Sequence, residues 1–169
     1  MPARRPHLIR ATCLIFALIP ALVTSAQTPE GGAGRSTGLP LPRFVSLAAD
    51  RVNVRVGPGK QYPINWVFER VDLPVQIVAE FDTWRKIRDH EGAEGWVHSS
   101  LLSSRRTIMI SDEVRELRRT PSTDSRVVLR AEPGVIGRLF DCEEEWCRVD
   151  IAGQRGWLRQ SDFWGATPG

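Results

Sequence analysis

The stretch Asn53-Val54-Arg55-Val56-Gly57-Pro58-Gly59 decides the fold, together with the motifs Trp84-Arg85-Lys86-Ile87 and Gly95-Trp96-Val97 that follow it. In the opening stretch apolar and polar residues alternate until a Gly-Pro-Gly turn ends the pattern. Strict alternation places every second side chain on one face, which is typical of a β-strand that is buried on one side. We therefore expect one face of this strand to carry Val52, Val54 and Val56.

The same motifs recur in the second half of the chain. Trp146-Cys147-Arg148-Val149 and Gly156-Trp157-Leu158 match the two tryptophan motifs, and residues 116–121 match the opening stretch. Because these anchors keep their order at offsets of 61 to 63 residues, the sequence predicts two copies of one unit. Frequent turn signals between short alternating runs favour a compact barrel of short strands in each copy. Helical turns are expected only near residues 99–102 and 160–163.

These motifs resemble the bacterial SH3-like (SH3b) family, whose pattern is an Asn-Val-Arg strand, a Gly-Pro turn and a closing Gly-Trp-Val before an apolar pair. Residues 43–102 resemble it closely and residues 112–165 more loosely, since Glu116 and Thr120 replace the family's Asn and Gly. The resemblance implies an all-β fold of two tandem five-stranded barrels. It also implies cell-wall or envelope binding. In those family members that are enzymes, catalysis usually lies in a separate attached domain.

The N-terminus has the features of an export signal. Three arginines precede the uncharged apolar residues 11–23, and Thr24-Ser25-Ala26 supplies small residues for cleavage. The sequence predicts a cleaved signal peptide over residues 1–26, with an uncleaved anchor as the alternative. No later run approaches the roughly 20 apolar residues of a spanning helix. We therefore expect a periplasmic or secreted protein without a membrane span after cleavage.

The predicted domains follow from composition. Residues 27–42 contain four Gly and three Pro, and such a stretch buries too little apolar surface to offset the entropy of ordering it. We expect a flexible linker there. The first barrel is predicted over residues 43–104 and a second, divergent barrel over residues 105–169.

The charge pattern argues against a nucleic-acid partner. The formal net charge of +3 equals the contribution of Arg4, Arg5 and Arg10 in the predicted signal, so the remainder of the chain is neutral. Arg105-Arg106 and Arg118-Arg119 are expected to be solvated pairs. On net charge we expect no nucleic acid or other polyanion to bind.

Two cysteines, Cys142 and Cys147, remain after the predicted signal. Exported proteins form disulfides, and the short spacing suits a bridge across a hairpin. A redox-active pair is the alternative, but the neighbouring residues Glu143, Glu144 and Glu145 disfavour a reactive thiolate. The sequence therefore predicts a structural disulfide.

Catalytic chemistry has little support in the sequence. After the predicted signal the only histidines are His90, in a polar turn, and His98, which Arg159 replaces in the second copy. That replacement indicates an exposed position. His and Cys pairs at metal-ligand spacing are absent from the sequence. We expect a protein that is not an enzyme and that uses no metal and no cofactor.

Aromatic residues provide the candidate binding site, because an aromatic ring can stack on a sugar or a prolyl ring. The predicted ligand contacts are Tyr62, Trp66, Trp84 and Trp96. Trp84 and Trp96 recur in the second copy, so a fold-making role is their alternative. Tyr62 and Trp66 have no aromatic counterparts, which favours the first barrel as the binding module and the second as a supporting or dimerising one.

Arg55 recurs as Arg118 within mostly apolar strands. We expect both to bond loop carbonyls through the guanidinium group. Taken together, the features predict a non-catalytic envelope protein whose partner is cell-wall peptidoglycan, in particular its stem peptide. The alternative is an envelope protein as partner, with this chain as a periplasmic adaptor or scaffold. An inhibitor or auxiliary protein of a hydrolase cannot be separated from that alternative by sequence.

Overall fold

The computed structural model describes residues 32–166, which are almost entirely β-strand, turn and loop. The predicted signal peptide over residues 1–26 lies outside the described residues. Within residues 32–166 no helix has the length and apolar character needed to cross a membrane. The strands are β1 (Arg43–Leu47), β2 (Val52–Arg55), β3 (Ile64–Phe68), β4 (Pro74–Phe81), β5 (Trp84–Arg88), β6 (Glu94–His98), β7 (Leu102–Ser103), β8 (Thr107–Ile110), β9 (Arg115–Arg118), β10 (Val127–Ala131), β11 (Ile136–Glu143), β12 (Trp146–Ile151), β13 (Gln154–Arg159) and β14 (Phe163–Trp164).

The strands form two antiparallel sheets with the same topology. The first has the order β3-β2-β6-β5-β4-β1-β7 and the second the order β10-β9-β13-β12-β11-β8-β14. This agreement confirms the predicted tandem all-β fold. Each sheet has seven strands, compared with the five of the predicted barrel. A turn over residues 48–51 separates β1 from β2, and the two-residue strand β7 pairs beside β1.

A 3₁₀ turn precedes the last strand of each barrel, over Ser99–Leu101 and Gln160–Asp162, where helical turns were expected. The inward face of each sheet carries the hydrophobic core. Val52 and Val54 are fully buried as predicted, but the prediction for Val56 is wrong, because its side chain is 55% exposed. Strand β2 ends at Arg55, where a register shift against β3 breaks the alternation.

The glycine of each Gly-Trp motif allows two strands to approach closely. A Cβ atom added to Gly95 would lie 2.3 Å from a Val54 methyl carbon, and one added to Gly156 would lie 2.6 Å from the Arg118 carbonyl oxygen. Because side chains alternate along a strand, the following tryptophan points to the outer face. The motif therefore combines close strand packing with an outward indole.

Residues 32–42, which were predicted to form a flexible linker, make defined contacts with the first barrel. Ala33 pairs with Pro40 in an isolated bridge, and the turn between them contacts the carboxylate of Glu80. The backbone N–H groups of Ser36 and Thr37 donate to that carboxylate at 3.1 and 2.9 Å. The buried carboxylate satisfies backbone N–H groups that would otherwise lack a partner, and Leu41 at the end of the stretch packs against the first core.

The two barrels belong to one compact unit and contact each other directly. The Thr107 hydroxyl donates to the Asp72 carbonyl oxygen at 2.7 Å, and Arg105 lies 3.2 Å from the Asp72 carboxylate. Phe44 of the first barrel meets Trp164 of the second edge to face, with ring centroids 4.9 Å apart. The seam therefore combines polar and aromatic contacts.

Candidate functional site

Each barrel carries a groove on the outer side of its sheet, and equivalent residues line the two grooves. The first groove, of about 190 Å³, is called the Trp84 groove and is lined by Asn53, Arg55, Lys60, Trp84, His98 and Leu101. The second, of about 260 Å³, is called the Trp146 groove and includes Glu116, Arg118, Thr123, Trp146, Arg159 and Asp162 at the matching positions. The duplication of the sequence is thus also a duplication of the groove.

Strand register brings the side chains of the Trp84 groove together. Asn53 and Arg55 alternate on β2 with the buried Val52 and Val54, so they face outward. Trp84 on β5 lies opposite His98 on β6. Their rings meet edge to face at a centroid distance of 5.4 Å. The indole forms one wall of the groove and the imidazole lies at its edge.

Arg55 and Arg118 have the structural role that was predicted for them. The Arg55 guanidinium donates to the Tyr62 carbonyl oxygen at 2.7 Å, and Arg118 donates to the Ser125 carbonyl oxygen at 2.8 Å. Both bonds tie a loop back to the strand that precedes it. In the first barrel that loop carries Lys60, so Arg55 fixes the segment that brings the lysine to the groove.

The structure does not place the four predicted ligand contacts in one groove. Of the four, only Trp84 lines the Trp84 groove. Trp96 lies on the same outer face, opposite Lys86 on β5, and Tyr62 is 39% exposed in the loop with its ring against Gly57. Trp66 lies opposite the buried Val54 and packs against the core.

Sequence reasoning missed four residues of the Trp84 groove: Asn53, Lys60, His98 and Leu101. The alternation of β2 could have identified Asn53. His98 was expected to be exposed, but it is partly buried because it stands against Trp84 and caps the following 3₁₀ turn. His90 is exposed in its turn, as expected.

The two grooves differ in charge. Among the described residues, the lining of the Trp84 groove has two cationic side chains, Arg55 and Lys60, together with the imidazole of His98, and no carboxylate. Its tryptophan is partly buried. An anionic or partly apolar ligand would therefore meet complementary groups there.

The Trp146 groove is occupied by its own side chains. The Arg159 guanidinium lies 5.2 Å from the centroid of the Trp146 ring, and only 9% of Trp146 is exposed. Glu116 accepts hydrogen bonds from Arg118 and Arg130, the latter at 3.1 Å. Asp162 lies 3.4 Å from Arg115. These internal ion pairs leave fewer groups for a ligand.

The barrel topology and the repeated motifs agree with a known family. Residues 48–104 and 112–165 each match the bacterial SH3 domain. The chain belongs to the bacterial SH3 domain family. It is 25% identical over 167 residues to the putative N-acetylmuramoyl-L-alanine amidase YrvJ of Bacillus subtilis (strain 168). That match covers 91% of this chain and 30% of the relative, so the chain spans less than a third of the relative's length.

Solved structures with some likeness to the chain come from Trichomonas vaginalis. NlpC1 aligns with a TM-score of 0.36 over 83% of this chain and 51% of its own. NlpC2 aligns with a TM-score of 0.35 over 74% of this chain and 48% of its own. Sequence identity is 12% in both cases.

Beside the groove, the first SH3 domain has an ion-pair cluster on its outer face. Lys86 and Arg88 each lie 2.6 Å from the carboxylate of Glu94. Hydrogen bonds from Lys86, and then from Arg88, lower the pKa of Glu94. The carboxylate therefore stays ionised and offsets charge that would otherwise extend the basic surface of the groove.

A second carboxylate, Glu80, lies near the end of β4 in the first SH3 domain, with its side chain fully buried. Burial raises the pKa of Glu80, but hydrogen bonds from Arg43, Thr37 and Ser36 outweigh this and lower it to about 2. Arg43 lies 2.6 Å from one carboxylate oxygen, and Arg85 lies 3.4 Å from the same oxygen. All of these partners come from the protein, which indicates a structural role.

At the equivalent position of the second SH3 domain, Cys142 and Cys147 form the predicted disulfide. They face each other across the β11–β12 hairpin with Cα atoms 4.0 Å apart. Over residues 32–166, no three His, Cys, Asp or Glu side chains are grouped so that they could hold a metal ion.

Proposed function

We propose that the protein is a non-catalytic binding protein of the cell envelope, and that it holds the stem peptide of peptidoglycan in the Trp84 groove. The observation that carries the proposal is the pairing of a partly exposed indole with two cationic side chains, Arg55 and Lys60, and no carboxylate among the described residues that line the groove. A stem peptide offers the matching chemistry, since it has small apolar side chains and free carboxylates.

Each part of the groove has a defined task in this proposal. The Trp84 ring contacts an apolar side chain of the peptide. Lys60, which the Arg55-anchored loop presents, attracts a carboxylate, and charge-assisted hydrogen bonds of this kind are stronger than neutral ones. A volume of about 190 Å³ is below that of typical drug-sized pockets, so it suits one or two residues of a short chain.

Family membership and the curated relative support the same ligand. The relative is named as a putative N-acetylmuramoyl-L-alanine amidase, and an N-acetylmuramoyl group joined to L-alanine is a unit of peptidoglycan. This chain spans 30% of that relative. We therefore propose the cell wall as its binding partner, and we do not propose the amidase reaction. The predicted signal peptide would deliver the protein to the compartment in which the wall lies.

Co-sedimentation with purified sacculi tests the proposal, using the purified protein and variants of exposed groove residues. We expect the protein to pellet with sacculi. Lys60→Glu should lower the affinity by about tenfold, because it reverses the charge that meets the carboxylate. The matched control is Thr123→Glu at the equivalent position of the Trp146 groove, which should bind like the unaltered protein. Trp84→Ala, checked for folding by circular dichroism, should bind at least as weakly as Lys60→Glu.

Three results would contradict the proposal. Protein that stays wholly in the supernatant would exclude wall binding. Capture of a defined envelope protein without retention on sacculi would instead support the alternative function, that of a periplasmic protein–protein adaptor. A cleared zone on a peptidoglycan zymogram would overturn the non-catalytic assignment.

A further inference from the structure

Arginines gather around one aromatic ring on the outer face of the second SH3 domain. The guanidinium carbons of Arg138, Arg148 and Arg155 lie 5.1, 5.8 and 5.4 Å from the centroid of the Phe140 ring. Any two of them are therefore within about 11 Å of each other, by addition of these distances. Three cations on one ring repel one another, although each is attracted to the ring.

The position of Phe140 follows from an irregularity in β11. Leu139 pairs with Val149 and Asp141 pairs with Arg148, so Phe140 is an extra residue between them. A β-bulge of this kind re-aims a side chain and leaves its backbone outside the ladder. The freed Phe140 carbonyl oxygen accepts a hydrogen bond from Arg106, which adds a fourth guanidinium. We call the surface formed by Arg106, Arg138, Phe140, Arg148 and Arg155 the Phe140 face.

The Phe140 face has more positive than negative charge. Asp141 lies 2.6 Å from Arg148, and Asp150 lies 3.4 Å from Arg155. Among residues 32–166, no carboxylate comes within 4.0 Å of Arg106 or Arg138. Two of the four guanidinium groups therefore have no acidic partner in the described part of the chain. All four arginines are exposed.

The same face of the first SH3 domain lacks this character. The counterparts of Arg138, Phe140 and Arg148 are Gln76, Val78 and Lys86, and the counterpart of Arg155 is Glu94. That carboxylate neutralises its neighbours, as described above. The fold therefore does not require the arginine cluster, since the duplicate barrel is built without it.

We propose that the Phe140 face binds the phosphate groups of an anionic polymer. Every cation in it is an arginine, and the planar guanidinium group suits bidentate bonds to phosphate. Arginines also contact the phosphates of nucleic acids, but a single strand held through its bases needs an exposed aromatic surface on which they stack, and guanidinium groups surround the Phe140 ring. Insertion into a membrane surface needs apolar side chains, and the Phe140 face has none besides that ring, so a membrane would be held by charge alone. The four guanidinium groups are enough to bind a phosphate chain without bases, which is therefore the ligand that the composition of the face favours.

This proposal is independent of the stem-peptide groove, which lies on the other barrel. The net charge of the second barrel does not reveal this local cluster of arginines. The second barrel is neutral in sequence, because its arginines are balanced by acidic residues. Strand register nevertheless collects four arginines on one side of it, and association with an anion depends on the local field.

The test is a titration of the full chain with long-chain inorganic polyphosphate at low and at physiological salt. Binding is measured by the change in tryptophan fluorescence or by thermophoresis. We expect saturable binding that weakens as salt rises. The double variant Arg138→Gln with Arg155→Gln should bind about tenfold more weakly for each arginine removed. The control Arg126→Gln removes an exposed arginine elsewhere on the same barrel and should bind like the unaltered protein.

Several outcomes would overturn the proposal. An equal loss in Arg126→Gln would mean that overall charge, and not this face, binds the polymer. Equal affinity for polyglutamate would exclude selection of phosphate. Binding to phosphatidylglycerol vesicles but not to polyphosphate would assign the face to a membrane. Absence of polyphosphate binding at low salt would show that the Phe140 face is not a phosphate-binding site.

Co-sedimentation of the double variant with sacculi separates the two proposals. If the double variant still pellets with sacculi, the stem-peptide proposal stands whether or not the Phe140 face binds phosphate.

Discussion

The two barrels close the same hairpin with different chemistry. In the first, Glu80 and Arg85 face each other across the β4–β5 turn as a buried ion pair. In the second, Cys142 and Cys147 occupy the equivalent pair of positions as a disulfide. The turns themselves agree, because Asp82 and Glu144 both adopt a positive φ, of 49° and 52°. One backbone geometry thus accepts either a covalent or an ionic closure.

The difference shows that the surroundings decide which closure is suitable. A buried carboxylate is stable only if several donors satisfy it. The first barrel supplies Arg43 and the turn over residues 34–38, which together donate four hydrogen bonds to Glu80. Cys142 is exposed, and no comparable set of hydrogen-bond donors surrounds it among the described residues. A disulfide needs no donors, and it restrains the unfolded chain instead.

The largest effect should come from breaking the ionic closure. Glu80→Ala should lower the free energy of unfolding by about 3 kcal/mol, because it leaves Arg85 buried without its carboxylate. Denaturation in urea, followed by tryptophan fluorescence, measures the change. Glu69→Ala is the control, since the Glu69–Arg51 pair is about 70% exposed on both sides and should contribute less than about 1 kcal/mol. Equal small losses in both variants would mean that the buried network adds no stability.

Breaking the covalent closure should have a smaller effect. Cys142→Ala should lower the free energy of unfolding by about 2 kcal/mol, because the closed loop is short. Cys147 is fully buried in the second core and keeps its packing in this variant. Reductant should destabilise the unaltered protein similarly and leave Cys142→Ala unchanged. Intact mass under non-reducing conditions should lack two thiol hydrogens, and free thiols would disprove the bond in the exported protein.

The smallest effect is expected from mild acid. The pKa of Glu80 is about 2 in the folded protein and 4.5 ordinarily, so its stabilising charge is fully present above pH 4.5 and is lost as the pH falls towards 2. From pH 7 to pH 4 the urea midpoint should fall slightly more in the unaltered protein than in Glu80→Gln. Identical falls would mean that the charge of Glu80 is not linked to folding.

Sequence reasoning succeeded where the information is local or repeated. Alternation and turn spacing predicted the strands, and cysteine spacing predicted the hairpin bridge. It could not show where Trp66 lies, because only the pairing of β2 with β3 reveals that this indole packs against the core. It also could not show the contacts of residues 32–42, because Ser36 and Thr37 donate to Glu80, more than 40 residues away along the chain.

The sequence by itself determined that the chain contains two tryptophan-anchored copies of one β unit, because periodicity and repetition are properties of the order of residues. Only the tertiary structure decided which side chains meet. The Trp84 groove draws residues from three strands, a loop and a 3₁₀ turn, and the Phe140 face depends on a bulge in β11. The physical reason is that cross-strand register places distant residues side by side, and one extra residue in a strand changes which of them share a face.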